Sequence, residues 1–260
     1  MESKAKAVLA SCVGRYSEAA PAPALRDHFQ CVWKHVIPDD HAGGIAVVPD
    51  GCVDLLWRDD RLVVVGPDIT AANPDLRPGA TVLGMRFRPG AAVRWFGLPL
   101  TDIVGSEIDM RDLWGARALD MAGRLQDVSG THEQAGLLQH LLTRMASSIE
   151  APSWEGAAMF AMLQDDPGHE GEGVARLMRQ LDLSERTLRR RSRELFGYGP
   201  KTLGRILRFQ RFQALARRSR HAGLADMAYA TGYADQAHLS REVLSLSGMT
   251  ALEIVRQLAA

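Results

Sequence analysis

The strongest constraint on this chain is a pattern written twice between residues 173 and 248, at a constant offset of 51. Leu188 corresponds to Leu239, Arg190 to Arg241 and Gly197 to Gly248. The first copy opens with Val174, Leu177, Met178 and Leu181 at i, i+3, i+4 and i+7, which is one buried face of a helix. Asp182-Leu183-Ser184 interrupts that spacing. The Ser184 hydroxyl is suited to accept from the free N–H groups that open a second helix. This helix runs from Glu185 to Leu195, turns Leu188 and Leu195 inward, and is otherwise mostly arginine. Gly197 and Pro200 end it. In the second copy Leu224–Ala230 is a short helix, Gly232 makes a turn that needs a positive φ, and Asp235 caps a helix reaching about Ser247. Gly248 stops it. Two copies make a duplication and not a solenoid, which needs three or more repeats.

Between the copies, residues from about Lys201 to Arg218 read as one long helix packed through Leu203, Ile206, Leu207 and Leu215. It holds the two arginine- and glutamine-bearing helices in a fixed relation. Arg205, Arg208, Arg211, Arg217, Arg218 and Arg220 are expected to divide between phosphate contacts and ion pairs with Glu185 or Glu194.

The run Gly232-Tyr233-Ala234-Asp235-Gln236-Ala237-His238-Leu239-Ser240-Arg241, followed by Gly248-Met249-Thr250, resembles the signature of the AraC/XylS family of bacterial transcription regulators. Leu188, Arg190, Gly197-Tyr198-Gly199-Pro200 and Leu207-Arg208-Phe209-Gln210-Arg211 fit the same family. The resemblance covers roughly the last 90 residues. The chain departs from the family at Ala251, where proline is usual, and at Ser192 and Val243, where phenylalanine is usual. The resemblance implies promoter DNA and RNA polymerase as partners. It also implies that Arg186, Arg189 and Arg190 read base edges, with Arg191 and Arg193 nearer phosphate. In the second copy Gln236 and Arg241 are the expected base readers, and His238 and Ser240 the phosphate contacts. The chemistry agrees: arginine pairs bidentately with guanine O6 and N7, and glutamine with adenine. An arginine run can also be a merely solvated helix face. The turn spacing and the second copy argue against that.

Charge divides the chain in the same way. Residues 171–260 hold 16 Lys+Arg against 8 Asp+Glu, and residues 1–170 hold 15 against 23. A basic C-terminal part suits a polyanion, and an acidic N-terminal part does not. No apolar run reaches the roughly 18 residues of a membrane helix. Met1-Glu2-Ser3-Lys4 has no apolar signal core, and three scattered cysteines suit a reducing cytoplasm.

Residues 1–24 read as a loose arm. Strands are expected at 28–37, 45–48, 52–57, 62–66 and 81–88, separated by Gly, Pro and Asp turns. A short helix follows at 91–96, then longer ones at about Leu113–Leu125 and His132–Ile149. Leu137, Leu138, Leu141, Leu142 and Met145 stripe the last of these, as domain core or as a dimer face. Together these predict an α+β chain: an N-terminal small β-barrel or sandwich with helices over residues 1–150, a helix and Gly/acid-rich linker over 151–170, and an all-α domain with two helix-turn-helix units over 171–260. Pro49-Asp50-Gly51-Cys52-Val53-Asp54-Leu55, Val65-Gly66-Pro67 and Phe87-Arg88-Pro89-Gly90-Ala91 resemble the β-rich N-terminal domain of uncharacterised function found in some AraC-type regulators.

That half is expected to sense a small-molecule effector or to self-associate as a homodimer. Trp33, Trp57 and Phe87 are the candidate effector pocket, although aromatics in strands are commonly core. No cofactor, metal or catalytic residue is expected. Cys31 and Cys52 have no CxxC or histidine at ligand spacing. A second reading makes the N-terminal half an enzyme with a DNA-targeting tail, such as a methyl-acceptor repair domain. It needs a thiolate poised by positive charge, for which Cys12 near Arg15 is the candidate.

Overall fold

The strands form where β-branched and aromatic residues run between turn residues, and their register sorts side chains onto two faces. A computed structural model describes residues 7–166, 172–219 and 222–259. The N-terminal strands are β1 (Val8–Leu9), β2 (Arg15–Ala19), β3 (Phe29–Val36), β4 (Ile45–Ala46), β5 (Asp54–Arg58), β6 (Arg61–Val65), β7 (Thr81–Phe87) and β8 (Glu107–Asp109). Six of them make one antiparallel sheet in the order β2-β3-β7-β5-β6-β8, and β1 pairs with β4 in parallel. The sheet is therefore open, with β2 and β8 at its edges. The arm expected at residues 1–24 is largely built in: β2 pairs with β3 along its whole length, and Leu9 is buried.

One sheet face is covered by α1 (Ala92–Phe96), α2 (Met110–Trp114), α3 (Ala116–Gln126) and α4 (Thr131–Ala146). Gly115, at φ +57°, splits the single helix expected near Leu113–Leu125 into α2 and α3. Leu138, Leu141, Leu142 and Met145 of α4 join Leu55, Trp57, Leu83, Met85 and Phe87 in one apolar cluster. The leucine stripe is thus core, and it does not supply a dimer face.

The helical part comprises α5 (Trp154–Gln164), α6 (Glu172–Leu181), α7 (Glu185–Phe196), α8 (Pro200–Arg218), α9 (Leu224–Ala230), α10 (Gln236–Ser247) and α11 (Ala251–Ala259). Met159 and Leu163 of α5 pack in the same cluster as Leu188, Leu203, Phe209 and Leu239. The helix expected within the linker is therefore part of the C-terminal core. Most of the Gly/acid-rich linker, 167–171, lies outside the described residues, as do Met1–Lys4 and Arg220. A last helix, α11, follows Gly248 and buries Ala251 and Ile254 in the same cluster.

The two halves meet over a broad contact. The Gln210 side chain donates to the Pro49 carbonyl at 2.5 Å, Ala71 N donates to Leu246 O at 2.8 Å, and Leu9 N donates to Gln257 Oε1 at 2.8 Å. Gly51 and Gly156 sit where backbone meets backbone or ring: a Cβ on Gly156 would lie 2.9 Å from Pro89 O. Just behind this contact Asp68 is half-buried, and burial together with Asp50 raises its carboxyl to about 6. The folded state then holds that proton more tightly than the unfolded chain does. The stabilisation this gives is complete at low pH and is lost as pH rises through about 6. Asp68→Asn stays neutral throughout. It is expected to raise the melting temperature at pH 7.5 and to leave it nearly unchanged at pH 4. Melting curves at the two pH values check this, and equal shifts at both would contradict it.

Candidate nucleic-acid interface

α7 forms because Ser184 and Gly197 bracket it. The Ser184 hydroxyl accepts from Thr187 N at 3.3 Å, and Gly197 adopts φ +80° beyond the last turn. Leu188, Ser192, Leu195 and Phe196 are buried at i, i+4, i+7 and i+8. Ser192, standing where a phenylalanine is usual, donates its hydroxyl to Tyr198 O at 2.8 Å and so has a partner in the core. The opposite side carries Arg186, Arg189, Arg190 and Arg193, all exposed. These four, expected together from spacing alone, are brought together. Arg191 is not with them: it is half-buried and pairs with Glu155 of α5.

α10 repeats the construction. Asp235 accepts from His238 N at 2.6 Å, and Gly248 adopts φ +69°. Leu239, Val243 and Leu246 are buried, while Gln236, Ala237, Arg241 and Leu244 are exposed. Gln236, at the helix start, and Arg241 are therefore both free to meet a ligand, although they stand about 140° apart around the helix. His238 and Ser240 are half-buried and have work inside the helix. The His238 ring meets Tyr233 edge-on at 5.4 Å, and its Nδ1 accepts from Ala234 N at 3.4 Å. The Ser240 hydroxyl donates back to Gln236 O at 2.8 Å.

Three arginines of α8, Arg205, Arg208 and Arg211, turn inward, contrary to the division expected for them, whereas Arg217 and Arg218 stay exposed. Arg205 forms a two-bond pair with Glu242 of α10, at 2.7 and 3.0 Å, and not with Glu185 or Glu194. Arg208 is buried with its guanidinium 5.4 Å from the Tyr233 ring centroid. Arg211 donates to Leu163 O and Gln164 O at the end of α5, and burial beside Arg208 lowers its pKa. Arg217 donates to the Ser11 hydroxyl at 3.0 Å. These groups brace α8 against its neighbours. Sequence spacing could not show this, because each partner lies far away along the chain.

A cleft of about 1540 Å³ runs beside α7. The four exposed arginines line one wall, and Val93, Arg94, Leu98, Pro99 and Thr101 of the N-terminal half line the other. Arg94 adds a fifth exposed guanidinium, paired with Glu150 at 3.2 Å. Nothing in the sequence marked this wall, since α1 carries no periodic basic pattern.

Residues 177–257 match the family described as a helix-turn-helix domain. They form an AraC-type DNA-binding domain. The chain is thus a DNA-binding transcription regulator. Residues 17–109 match a domain of unknown function, DUF6597. No curated protein matches the chain. Among solved structures, ToxT from Vibrio cholerae O395 is 10% identical, with 83% of this chain and 94% of that one covered and a TM-score of 0.47. An apo variant of ToxT from strain SCE256 is 11% identical over 94% and 97% of the two chains, with a TM-score of 0.46. Unsaturated-fatty-acid-bound ToxT from the same strain is 11% identical over 82% and 86%, with a TM-score of 0.43.

In the regulator's N-terminal half the proposed aromatic pocket does not assemble. Trp33 pairs across β3 and β7 with Gly84 and lies on one sheet face, its indole N–H donating to Asp54 at 2.9 Å. Trp57 and Phe87 lie in the core cluster on the other face. The sheet itself separates them, so Trp33, Trp57 and Phe87 cannot line one cavity. The cysteines do not favour the repair-enzyme reading either. Burial pushes the Cys31 thiol up to about 11, and burial with Asp50 nearby raises Cys52. A nucleophilic thiol needs the opposite shift. Cys12 is exposed and its thiol donates to Gln257 O at 3.4 Å. Among the described residues no group of three His, Cys, Asp or Glu side chains is placed to hold a metal, and no helix is long and apolar enough to cross a membrane.

Proposed function

We propose that this regulator acts by laying α7 and α10 in successive major grooves on one side of promoter DNA, about 34 Å apart. Arg186, Arg189 and Arg190 read guanine edges, and Arg193 meets the phosphate backbone. Gln236 and Arg241 read bases in the second groove, with His238 and Ser240 beside the backbone. The observation that carries this reading is the row of four exposed arginines on α7, backed by an opposite face buried through Leu188, Ser192, Leu195 and Phe196. RNA polymerase is the partner that the bound complex engages. The N-terminal half senses a small molecule or mediates self-association, and it has no catalytic task. The protein works in the cytoplasm. The helical DNA-binding unit begins before α5, near residue 151, because α5 shares its core.

The test uses the full chain on the DNA upstream of its own gene. Footprinting should protect two segments one helical turn apart, and affinity should fall steeply with added salt as counterions are released. Arg190→Ala and Arg241→Ala should each weaken specific binding by about 1–3 kcal/mol, roughly 5- to 150-fold, with the melting temperature unchanged. Operator affinity unaltered in both variants would defeat the assignment of these two helices.

A further inference from the structure

The duplication places the two recognition helices in strict correspondence, and the correspondence shows that their exposed faces differ in chemistry. The cap Ser184 aligns with Asp235, and the glycine stop Gly197 with Gly248, all at the offset of 51. The same offset sets Arg186, Arg189, Arg190 and Arg193 of α7 on Ala237, Ser240, Arg241 and Leu244 of α10. Of four arginine positions, only one keeps its charge in the second copy. Two become apolar, and both are exposed: Ala237 near the helix start, and Leu244, whose accessible fraction of 51% is high for a leucine. Both stand on the same face as Arg241, at i−4 and i+3 from it, so their exposure is continuous with the DNA-reading surface.

We infer that the operator is asymmetric, with a guanine-rich half under α7 and a thymine-bearing half under α10, where Ala237 and Leu244 pack on thymine C5-methyl groups. This rests on the placement of α7 and α10 in the major groove. In that groove the thymine methyl is the one apolar feature of the four bases, and small apolar side chains are its partners. Gln236, exposed in the same first turn as Ala237, supplies the bidentate adenine contact that identifies an A·T pair. Arginine at all the corresponding positions of α7 favours guanine O6 and N7 instead. Arg241, retained in both copies, is the common element. An exposed leucine on a helix aimed at a polyanion would otherwise be an apolar group facing water and phosphate, with nothing gained. A methyl group in the groove gives it a partner.

The test starts from duplexes selected out of a random pool by the full-length protein. Thymines of the second half-site are replaced one at a time by uracil, which removes the methyl and nothing else. At one or two positions uracil should weaken binding by roughly fourfold, the value of one buried methyl. Leu244→Ala should abolish that sensitivity at one of them, while keeping the wild-type melting temperature and an unchanged dependence of binding on salt. Leu244→Arg should shift the selected base there towards guanine. Uracil tolerated at every thymine of a duplex that is still selected and bound would overturn the proposal and leave the regulator's two-groove reading standing. Selection of no sequence in either half would instead overturn the two-groove reading itself.

Discussion

Replacing Arg86 with methionine is expected to lower the unfolding free energy of the regulator by about 3–5 kcal/mol, the usual result of stranding one partner of a buried ion pair. Asp54 faces Arg86 directly across β5 and β7. The guanidinium donates twice to that carboxylate, at 3.1 Å each, and its Nη2 also lies 3.1 Å from Asp50. Trp33 donates to the same Asp54 oxygen at 2.9 Å. Burial alone lowers the Arg86 pKa, but Asp54 and Asp50 more than offset it and hold the group charged. With Arg86 gone, a carboxylate that is almost fully buried keeps only the indole N–H. Urea unfolding of the full chain followed by far-ultraviolet circular dichroism measures the loss. Adding Asp54→Asn to the methionine variant should restore part of it, because the penalty belongs to the stranded charge. A loss below about 1 kcal/mol, or no recovery in the double variant, would show that the cluster is solvated and ordinary.

That cluster also explains which parts of this molecule were legible in the sequence. Features that depend on near neighbours were readable. Ser184 and Asp235 cap, Gly197 and Gly248 stop, and the four arginines of α7 share a side because helical spacing puts them there. Features that depend on register or docking were not. Trp33 and Phe87 look alike in sequence, yet the register that pairs Trp33 with Gly84, an odd three residues from Phe87 along β7, sets them on opposite faces. Arg205, Arg208, Arg211 and Arg217 look like a phosphate-binding row. They point elsewhere because Glu242, Tyr233, the end of α5 and Ser11 reach them through tertiary packing. The arm at residues 8–19 was unreadable for the same reason, since its partners are β3, β4 and α11. The differing chemistry of α10 lay in plain view at the offset of 51. It gained meaning once exposure separated Leu244, on the surface, from Leu239 and Leu246 inside.

The two glycine stops offer a matched pair of substitutions that isolates how the N-terminal half holds α7. Gly197 and Gly248 end their helices in the same left-handed conformation, at φ +80° and +69°. Alanine at either should cost about 1 kcal/mol for that conformation alone. Their surroundings differ. A Cβ on Gly248 would meet nothing within 4 Å. A Cβ on Gly197 would lie 2.4 Å from Val104 Cγ2, 2.9 Å from Leu100 O and 3.0 Å from Pro67 Cγ, all in the N-terminal half. Two of those are backbone or ring atoms with little freedom to move, so overpacking adds about 1–3 kcal/mol. Gly197→Ala is therefore expected to lose about 2–4 kcal/mol where Gly248→Ala loses about 1. The difference should also reach DNA, because the end of α7 that is pushed away belongs to the helix carrying Arg186, Arg189 and Arg190. Equilibrium unfolding and operator titration of both variants measure the two effects. Equal losses in the two glycine variants would mean that the contact of α7 with Leu100, Val104 and Pro67 yields freely. The N-terminal half would then have no grip on the first recognition helix, and a signal arriving there would need another route to the DNA.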